Sequence, residues 1–136
     1  MDIYSKKILD RFKNPKYAGK IEKPSAVGEV GNIRCGDVMK VFIKVEKNKH
    51  GKEIIKDISY QTYGCAAAIV SSDYLCEIAK GKTLEKAKKI TSKDVIKKMG
   101  KVPLIKIHCS VLAQNALHKA IEDYKKKEKK KNEQMA

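Results

Sequence analysis

Apolar and polar residues repeat with two different periods along this chain. Apolar positions at helical spacing predict a short amphipathic helix over residues 3–12, which Asn14-Pro15 ends. Alternation with period two then predicts strands over residues 26–30, 38–45 and 54–63, joined by short turns. Three consecutive strands with short connections are typical of an antiparallel meander.

Helical spacing replaces the alternation after the third strand. A helix rich in Ala, Ile and Leu is predicted over residues 65–79, where a Lys-Gly pair ends it. A short helix follows from Thr83, and another begins with a capping-box pattern at residues 91–94 and closes at Gly100. The last and longest helix is predicted from near residue 108 to about 126. The whole pattern predicts an α+β fold class, with a small three-stranded antiparallel sheet and helices packed on one face.

Length and charge narrow the kinds of protein that this chain can be. At 136 residues it is the size of one domain. The net charge is +15, but six lysines fall within residues 125–131, and such a block is typical of a solvated extension or a frayed helix end. We therefore predict a domain over residues 1–124 and a lysine-rich tail over residues 125–136. Because only two arginines and no tryptophan accompany the lysines, we expect no nucleic-acid partner.

The sequence also predicts a cytoplasmic location. The longest apolar run, over residues 65–70, is far shorter than the ~20 residues that cross a bilayer, so we expect no membrane association. The first five residues lack the basic and then apolar pattern of a signal peptide. In a reducing cytoplasm, the four cysteines are not expected to form disulfides.

Three of the four cysteines lie where one predicted element gives way to the next. Cys35 lies in the turn between the first two strands, Cys65 opens a helix, and Cys109 lies at the start of the last helix. A thiol at a helix N-terminus feels the positive end of the helix dipole, which lowers its pKa and favours the thiolate. Cys76 lies ~16 Å along the helix from Cys65, so the two cannot share a metal, and Cys76 is predicted to be a core residue.

Two further candidate ligands accompany these cysteines. Asp37 follows Cys35 across a glycine, and His108 directly precedes Cys109. Three soft thiolates with an imidazole suit an iron–sulfur cluster or Zn²⁺. A hard carboxylate oxygen beside a soft cluster binds weakly and exchanges readily. Asp37 therefore predicts a cluster that is transferable rather than permanent.

Three segments of the chain resemble the ligand motifs of a known protein family. The segments are Cys35-Gly36-Asp37-Val38-Met39-Lys40, Thr62-Tyr63-Gly64-Cys65-Ala66-Ala67-Ala68-Ile69 and Lys106-Ile107-His108-Cys109-Ser110. With these motifs in this order, the chain resembles the IscU/NifU N-terminal family of iron–sulfur cluster assembly scaffolds from about Tyr4 to Tyr124. The lysine tail lies outside the resemblance.

The resemblance implies an IscU/SufE-like fold and a scaffold rather than an enzyme. It implies that Cys35, Cys65 and Cys109 hold a [2Fe–2S] cluster built from Fe²⁺. His108 or Asp37 would then act as the fourth ligand or control the lability of the cluster. Zn²⁺ would be able to occupy the site in the apo form.

The resemblance also implies partners. A pyridoxal-phosphate-dependent cysteine desulfurase of the IscS/NifS type would deliver persulfide sulfur, with Cys109 as the expected acceptor. Apo-proteins or carriers would receive the cluster, and a cluster-loaded homodimer is compatible with this role.

One segment departs from the family pattern. Many relatives carry Leu-Pro-Pro-Val-Lys before His-Cys, where this chain has Val102-Pro103-Leu104-Ile105-Lys106. The second proline is missing, which argues against extended, polyproline-like recognition by a dedicated chaperone.

Two other functions compete with the scaffold. A SufU-like zinc-dependent sulfur acceptor and relay protein has similar ligands, but that subfamily carries an insertion between the second and third cysteine motifs. Here 43 residues separate Cys65 from Cys109 with no extra segment, which favours the scaffold. A structural zinc protein that binds RNA through its lysines would instead hold Zn²⁺ tightly and lose nucleic-acid affinity steeply with salt.

Overall fold

Eight helices and strands lie in the part of the chain that the structure, a computed structural model, describes. That part comprises residues 6–32, 37–64, 66–100 and 107–135, without the side chains of residues 32, 37, 107–109, 134 and 135. The elements are α1 (Lys6–Lys13), β1 (Ala26–Asn32), β2 (Asp37–Lys47), β3 (Glu53–Tyr63), α2 (Ala66–Ala79), α3 (Leu84–Lys88), α4 (Ser92–Met99) and α5 (Ile107–Met135).

The three strands form one antiparallel sheet in the order β1-β2-β3, as the alternation predicted. The turn between β2 and β3 is built around Asn48, whose side-chain oxygen accepts hydrogen bonds from the backbone N–H groups of His50 (2.9 Å) and Lys52 (3.0 Å). Gly51 has a φ of 75°, a left-handed conformation that glycine adopts without steric cost. The tight turn keeps β2 and β3 in register over most of their length.

Helices cover one face of the sheet, and the core lies between the two layers. Because side chains alternate along a strand, Met39, Val41 and Ile43 of β2 point to the same face, and each is at most 1% exposed. α2 and α5 pack against this face and against each other. The prediction of a three-stranded sheet with helices on one face is confirmed.

The backbones of β1 and α5 come into direct contact at Gly28. A Cβ atom on Gly28 would lie 2.0 Å from the carbonyl oxygen of Ala116 and 2.4 Å from the amide nitrogen of Ala120. No side chain fits in this space, so glycine is required there. The contact fixes the middle of α5 over the first strand.

Two loop segments close the outer edge of β3. Tyr60 exchanges backbone hydrogen bonds with the first loop, donating to Tyr17 (3.1 Å) and accepting from Gly19 (2.9 Å). The N–H of Ile55 donates to the carbonyl of Lys82 (2.9 Å) in the loop after α2. The edge is therefore largely covered and is not a free template for strand pairing.

The capping pattern predicted for α4 is present. The Asp94 carboxylate accepts a hydrogen bond from the backbone N–H of Thr91 at 2.9 Å. The helix closes at Gly100, which has a φ of 85°. The shorter helix α3 also has a cap, since the Thr83 hydroxyl accepts from the N–H of Lys86 at 3.2 Å.

The last helix is longer than the sequence analysis predicted. We placed its end near residue 126, and this is wrong, because α5 continues to Met135. Lysine, glutamate and glutamine favour helix, no glycine or proline interrupts the segment, and Lys127 pairs with Asp123 one turn earlier at 3.2 Å. Within the described residues, no helix is both long and apolar enough to cross a membrane.

Candidate functional site

The connection that carries Cys35 lies at one end of the sheet. β1 ends at Asn32, β2 begins at Asp37, and these two residues are partners in the strand register. The connection between them therefore joins the two strands at this end. Cys35 and the side chain of Asp37 lie outside the described residues.

The segment that carries Cys65 follows at the same end. Since β2 and β3 are antiparallel, the last residue of β3, Tyr63, is the register partner of Val38 at the start of β2. Gly64 follows, and α2 begins at Ala66. Cys65 falls between these two described residues and itself lies outside them.

The first turn of α5 is directed towards this end as well. The middle of α5 lies over Gly28, and Tyr124, further along, contacts Glu53 at the opposite end of the sheet. The beginning of the helix therefore extends in the other direction, towards the β1–β2 connection. The backbones of His108 and Cys109 lie in this first turn, and their side chains are outside the described part.

The fold thus brings the described residues next to Cys35 and Cys65, and the first turn of α5, to one end of the sheet, although they are distant in the sequence. Two of the three predicted ligand segments meet a helix N-terminus, where the positive end of the dipole favours thiolates. Among the side chains that the structure describes, no three His, Cys, Asp or Glu residues form a group that could hold a metal ion.

Cys76 lies apart from this end, in the core. Its side chain is fully buried within α2, as the sequence predicted. Burial raises the pKa of its thiol well above the usual value, and the neighbouring Asp73 adds to the rise. The thiol is therefore protonated at neutral pH and packs as a small apolar group.

A buried contact that sequence reasoning missed connects β2 to α2 through the Ser72 hydroxyl, which donates its one proton to the Ala68 carbonyl of its own helix. The hydroxyl oxygen of Ser72 lies 3.1 Å from the sulfur of Met39 and 2.7 Å from the carbonyl oxygen of Ala68. The signal available in the sequence was the polar triplet Ser-Ser-Asp within an otherwise apolar helix. The local pattern did not show that Ser72 contacts Met39 on the other side of the core.

A buried charge cluster, also missed, attaches the N-terminal segment to α2. Asp73 is fully buried and accepts hydrogen bonds from the Arg11 guanidinium and from the backbone N–H of Tyr17 (2.8 Å). Arg11 also pairs with Glu77 at 3.1 Å and lies 4.3 Å from the ring centre of Tyr74. The cluster holds α1 and the loop after it in place.

Aromatic side chains are exposed beside the candidate site. Tyr63, at the end of β3, is 77% exposed, and Phe12, at the end of α1, is 40% exposed. Together with Ile69 of α2 they line a shallow groove of about 380 Å³. Exposed apolar groups of this kind are typical of surfaces that meet other proteins.

Comparison with known proteins agrees with the geometry. Residues 3–131 match the family model described as the NifU-like N terminal domain. The iron–sulfur cluster assembly scaffold protein IscU 1 of Archaeoglobus fulgidus is 50% identical over 92% of this chain and 78% of its own length. The scaffold protein IscU of Aquifex aeolicus is 41% identical over 89% of this chain and 75% of its own length.

Solved structures share the fold. A crystal structure of an iron–sulfur cluster assembly scaffold protein of the SUF system from Fervidobacterium islandicum has a TM-score of 0.66. It is 23% identical, and the match covers 88% of this chain and 96% of that one. The N-terminal part of a NifU-like protein from Brucella abortus has a TM-score of 0.64 at 21% identity, over 92% and 96% of the two chains.

Proposed function

The chain belongs to the NifU-like N-terminal domain family, and on this premise we propose that it is a scaffold for iron–sulfur cluster assembly. It would build a labile [2Fe–2S] cluster from iron and from sulfur released by a desulfurase, and pass the cluster to apo-proteins. The cluster is cargo, and the scaffold itself is not an enzyme.

The observation that carries the proposal is the meeting of three distant segments at one end of the sheet. The register pairs Asn32 with Asp37 and Val38 with Tyr63, and the start of α5 extends to the same end. The three cysteines of these segments supply the soft sulfur ligands that iron–sulfur clusters require. We assign Cys35, Cys65 and Cys109 as the cluster ligands.

Two neighbouring residues complete the proposed donor set. His108 or Asp37 would supply the fourth position, and the hard oxygen of Asp37 would keep the cluster exchangeable. We assign Cys109 as the acceptor of persulfide sulfur, because it lies at the N-terminal end of α5, where the dipole favours a thiolate. In the apo form the same donors suit Zn²⁺.

The surface beside the site supports the proposed partners. A cysteine desulfurase must bring its persulfide, and a recipient its empty ligands, to this end of the molecule. The exposed Tyr63 and Phe12 offer apolar area there, which a partner protein can bury. We propose a cytoplasmic location and a domain over residues 1–124 that carries the function without the lysine tail.

Anaerobic reconstitution tests the proposal. The protein is incubated with Fe²⁺, cysteine, a cysteine desulfurase and excess dithiothreitol, a thiol that reduces the persulfide sulfur to sulfide, and its absorption spectrum is recorded. We expect charge-transfer bands between ~400 and 600 nm, together with iron and sulfide in equal amounts. A protein that holds stoichiometric zinc, takes up persulfide and never colours would be a SufU-like sulfur relay instead.

Cysteine variants provide the control within the same experiment. Replacement of Cys35, Cys65 or Cys109 by Ala is expected to abolish the bands, because each removes a ligand. Cys76→Ala is expected to leave them unchanged, since the Cys76 side chain is buried in the core. Loss of iron binding in Cys76→Ala would contradict the ligand assignment.

A further inference from the structure

The contact between Met39 and Ser72 joins two of the segments that bear proposed ligands. Met39 lies two residues after Asp37 at the start of β2, and Ser72 lies in the middle of α2, about two turns after Cys65. The Ser72 hydroxyl oxygen is 3.1 Å from the Met39 sulfur, and neither residue is more than 1% exposed. No bulk water reaches this position to replace the contact if it is lost.

A hydrogen bond between β3 and β2 acts on the same group of elements. The hydroxyl of Thr62, near the end of β3, donates to the carbonyl oxygen of Val38 at 2.8 Å. This bond holds the end of β3 against the start of β2, while Ser72 holds the start of β2 against α2. The start of β2, which follows Cys35, is therefore linked to β3 and to α2, the elements on either side of Cys65.

We propose that Ser72 and Met39 are positioning residues, which set the distance between the Cys35–Asp37 segment and Cys65. This inference rests on the proposed function. Metal–thiolate bonds are short and directional, so a small shift of one backbone segment costs ligation. Groups that orient the ligands without touching the metal typically change metal affinity about 10-fold to 100-fold when they are removed.

The chain offers a matched control in the adjacent residue. Ser71 is also fully buried in α2, and its hydroxyl contacts the carbonyl oxygens of Ala67 and Ala68 in its own helix. Ser71→Ala therefore removes a buried hydroxyl from the same helix without changing the link to β2. Met39→Leu removes the sulfur at nearly constant volume and tests the other side of the contact.

The test is an anaerobic titration of the apo-proteins with Co²⁺, the coloured substitute for Zn²⁺. We expect Ser72→Ala and Met39→Leu each to bind Co²⁺ about tenfold more weakly than the wild type, and Ser71→Ala to stay within about twofold. The double variant should lose little more Co²⁺ affinity than either single variant, because each substitution removes the same contact between Ser72 and Met39. The visible circular dichroism of the reconstituted cluster should change in the same two variants.

Each result bears on the inference. Wild-type Co²⁺ affinity in both Ser72→Ala and Met39→Leu would overturn it, and so would an equal loss in Ser71→Ala, which would indicate a general packing effect. If Ser72→Ala does not fold, Met39→Leu decides. If the wild type itself binds no Co²⁺ and builds no cluster, the proposed function fails rather than the positioning role alone.

Discussion

Residues of the same type have different roles in this chain according to the backbone around them. Cys76 lies in the middle of α2 with a fully buried thiol, whereas Cys109 lies in the first turn of α5. The position of a cysteine along its helix decides whether its sulfur can reach a metal at the helix end. A position at the N-terminus also favours the thiolate. The rise per residue was therefore enough to predict the core role of Cys76 from the sequence.

Asp37 is predicted to control how readily the cluster leaves. In Asp37→Ala the weakly bound hard ligand is gone, so the protein should be purified with more cluster and should transfer it about tenfold more slowly. Cluster content on purification and the rate of transfer to an apo-ferredoxin measure the two effects. Asp123→Ala, at the far end of the molecule, is the control, and equal behaviour of Asp37→Ala and the wild type would refute the role.

Contacts between distant residues mark the limit of sequence reasoning at this scale. Arg11 and Asp73 are 62 positions apart, and neither has a neighbour in the sequence that points to the other. The same holds for Met39 and Ser72. Local reasoning predicted that Cys76 is buried, but the pairing of buried polar groups depends on how the elements pack.

At the scale of elements, local periodicity predicted the order and type of helices and strands because each was long enough to show its period. The end of α5 was misplaced because a lysine block reads as solvated whether or not it is helical. The packing of β1 against α5 was also not predicted. It depends on Gly28 meeting Ala116 and Ala120, which no single segment reveals.

Gly28→Ala is predicted to destabilise the fold by about 2 kcal/mol. The added methyl group would lie 2.0 Å from the Ala116 carbonyl oxygen, so β1 and α5 would have to move apart. Urea unfolding measures the change. Glu29→Ala, an exposed neighbour in β1, should shift the free energy of unfolding by less than about 0.5 kcal/mol. A similarly small shift for Gly28→Ala would show that the contact is not tight.

Glu77 is predicted to make the attachment of α1 dependent on pH. Burial opposes ionisation of Glu77, but hydrogen bonds and charges from Arg11 and Lys98 together lower its pKa. Since the folded pKa lies below the unfolded value of about 4.3, the stabilisation is fully present above that value and is lost as the pH falls through the folded pKa.

A comparison of two glutamate variants measures this dependence. Glu77→Gln should lower the free energy of unfolding by about 1 kcal/mol at pH 7, and the difference from the wild type should shrink as the pH falls below the unfolded-state value of about 4.3. Glu46→Gln is the control, because its ion pair with Lys56 at 3.1 Å is exposed to solvent. A difference for Glu77→Gln that stays constant across this pH range would contradict the linkage.

At the scale of the whole molecule, the two ends differ in chemistry. The described residues next to Cys35 and Cys65 and the first turn of α5 lie at one end of the sheet, and α5 carries its lysines past the other end, beyond the contact of Tyr124 with Glu53. The ligand set stays a prediction from the motifs in the sequence. The structure was needed to show that these parts of the chain lie at one end, because their location depends on the antiparallel register and on the path of α5.

Removal of residues 125–136 is predicted to leave cluster assembly intact. The segment follows Tyr124, which contacts Glu53 at the end of the sheet opposite to the proposed ligand segments. A chain that ends at Tyr124 should reach the same iron and sulfide content as the full chain, with assembly rates within about twofold of each other. A large loss of assembly in a folded truncation would show that the tail takes part in the function.

Transfer of the cluster is the property that separates a scaffold from a storage or relay protein. The direct measurement mixes reconstituted protein with an apo-ferredoxin under anaerobic conditions and follows both partners by absorption and circular dichroism. We predict that the bands of the scaffold fade as the ferredoxin gains its [2Fe–2S] spectrum, with one cluster gained for each cluster lost. A cluster that stays on the chain while the ferredoxin remains empty would contradict the scaffold function.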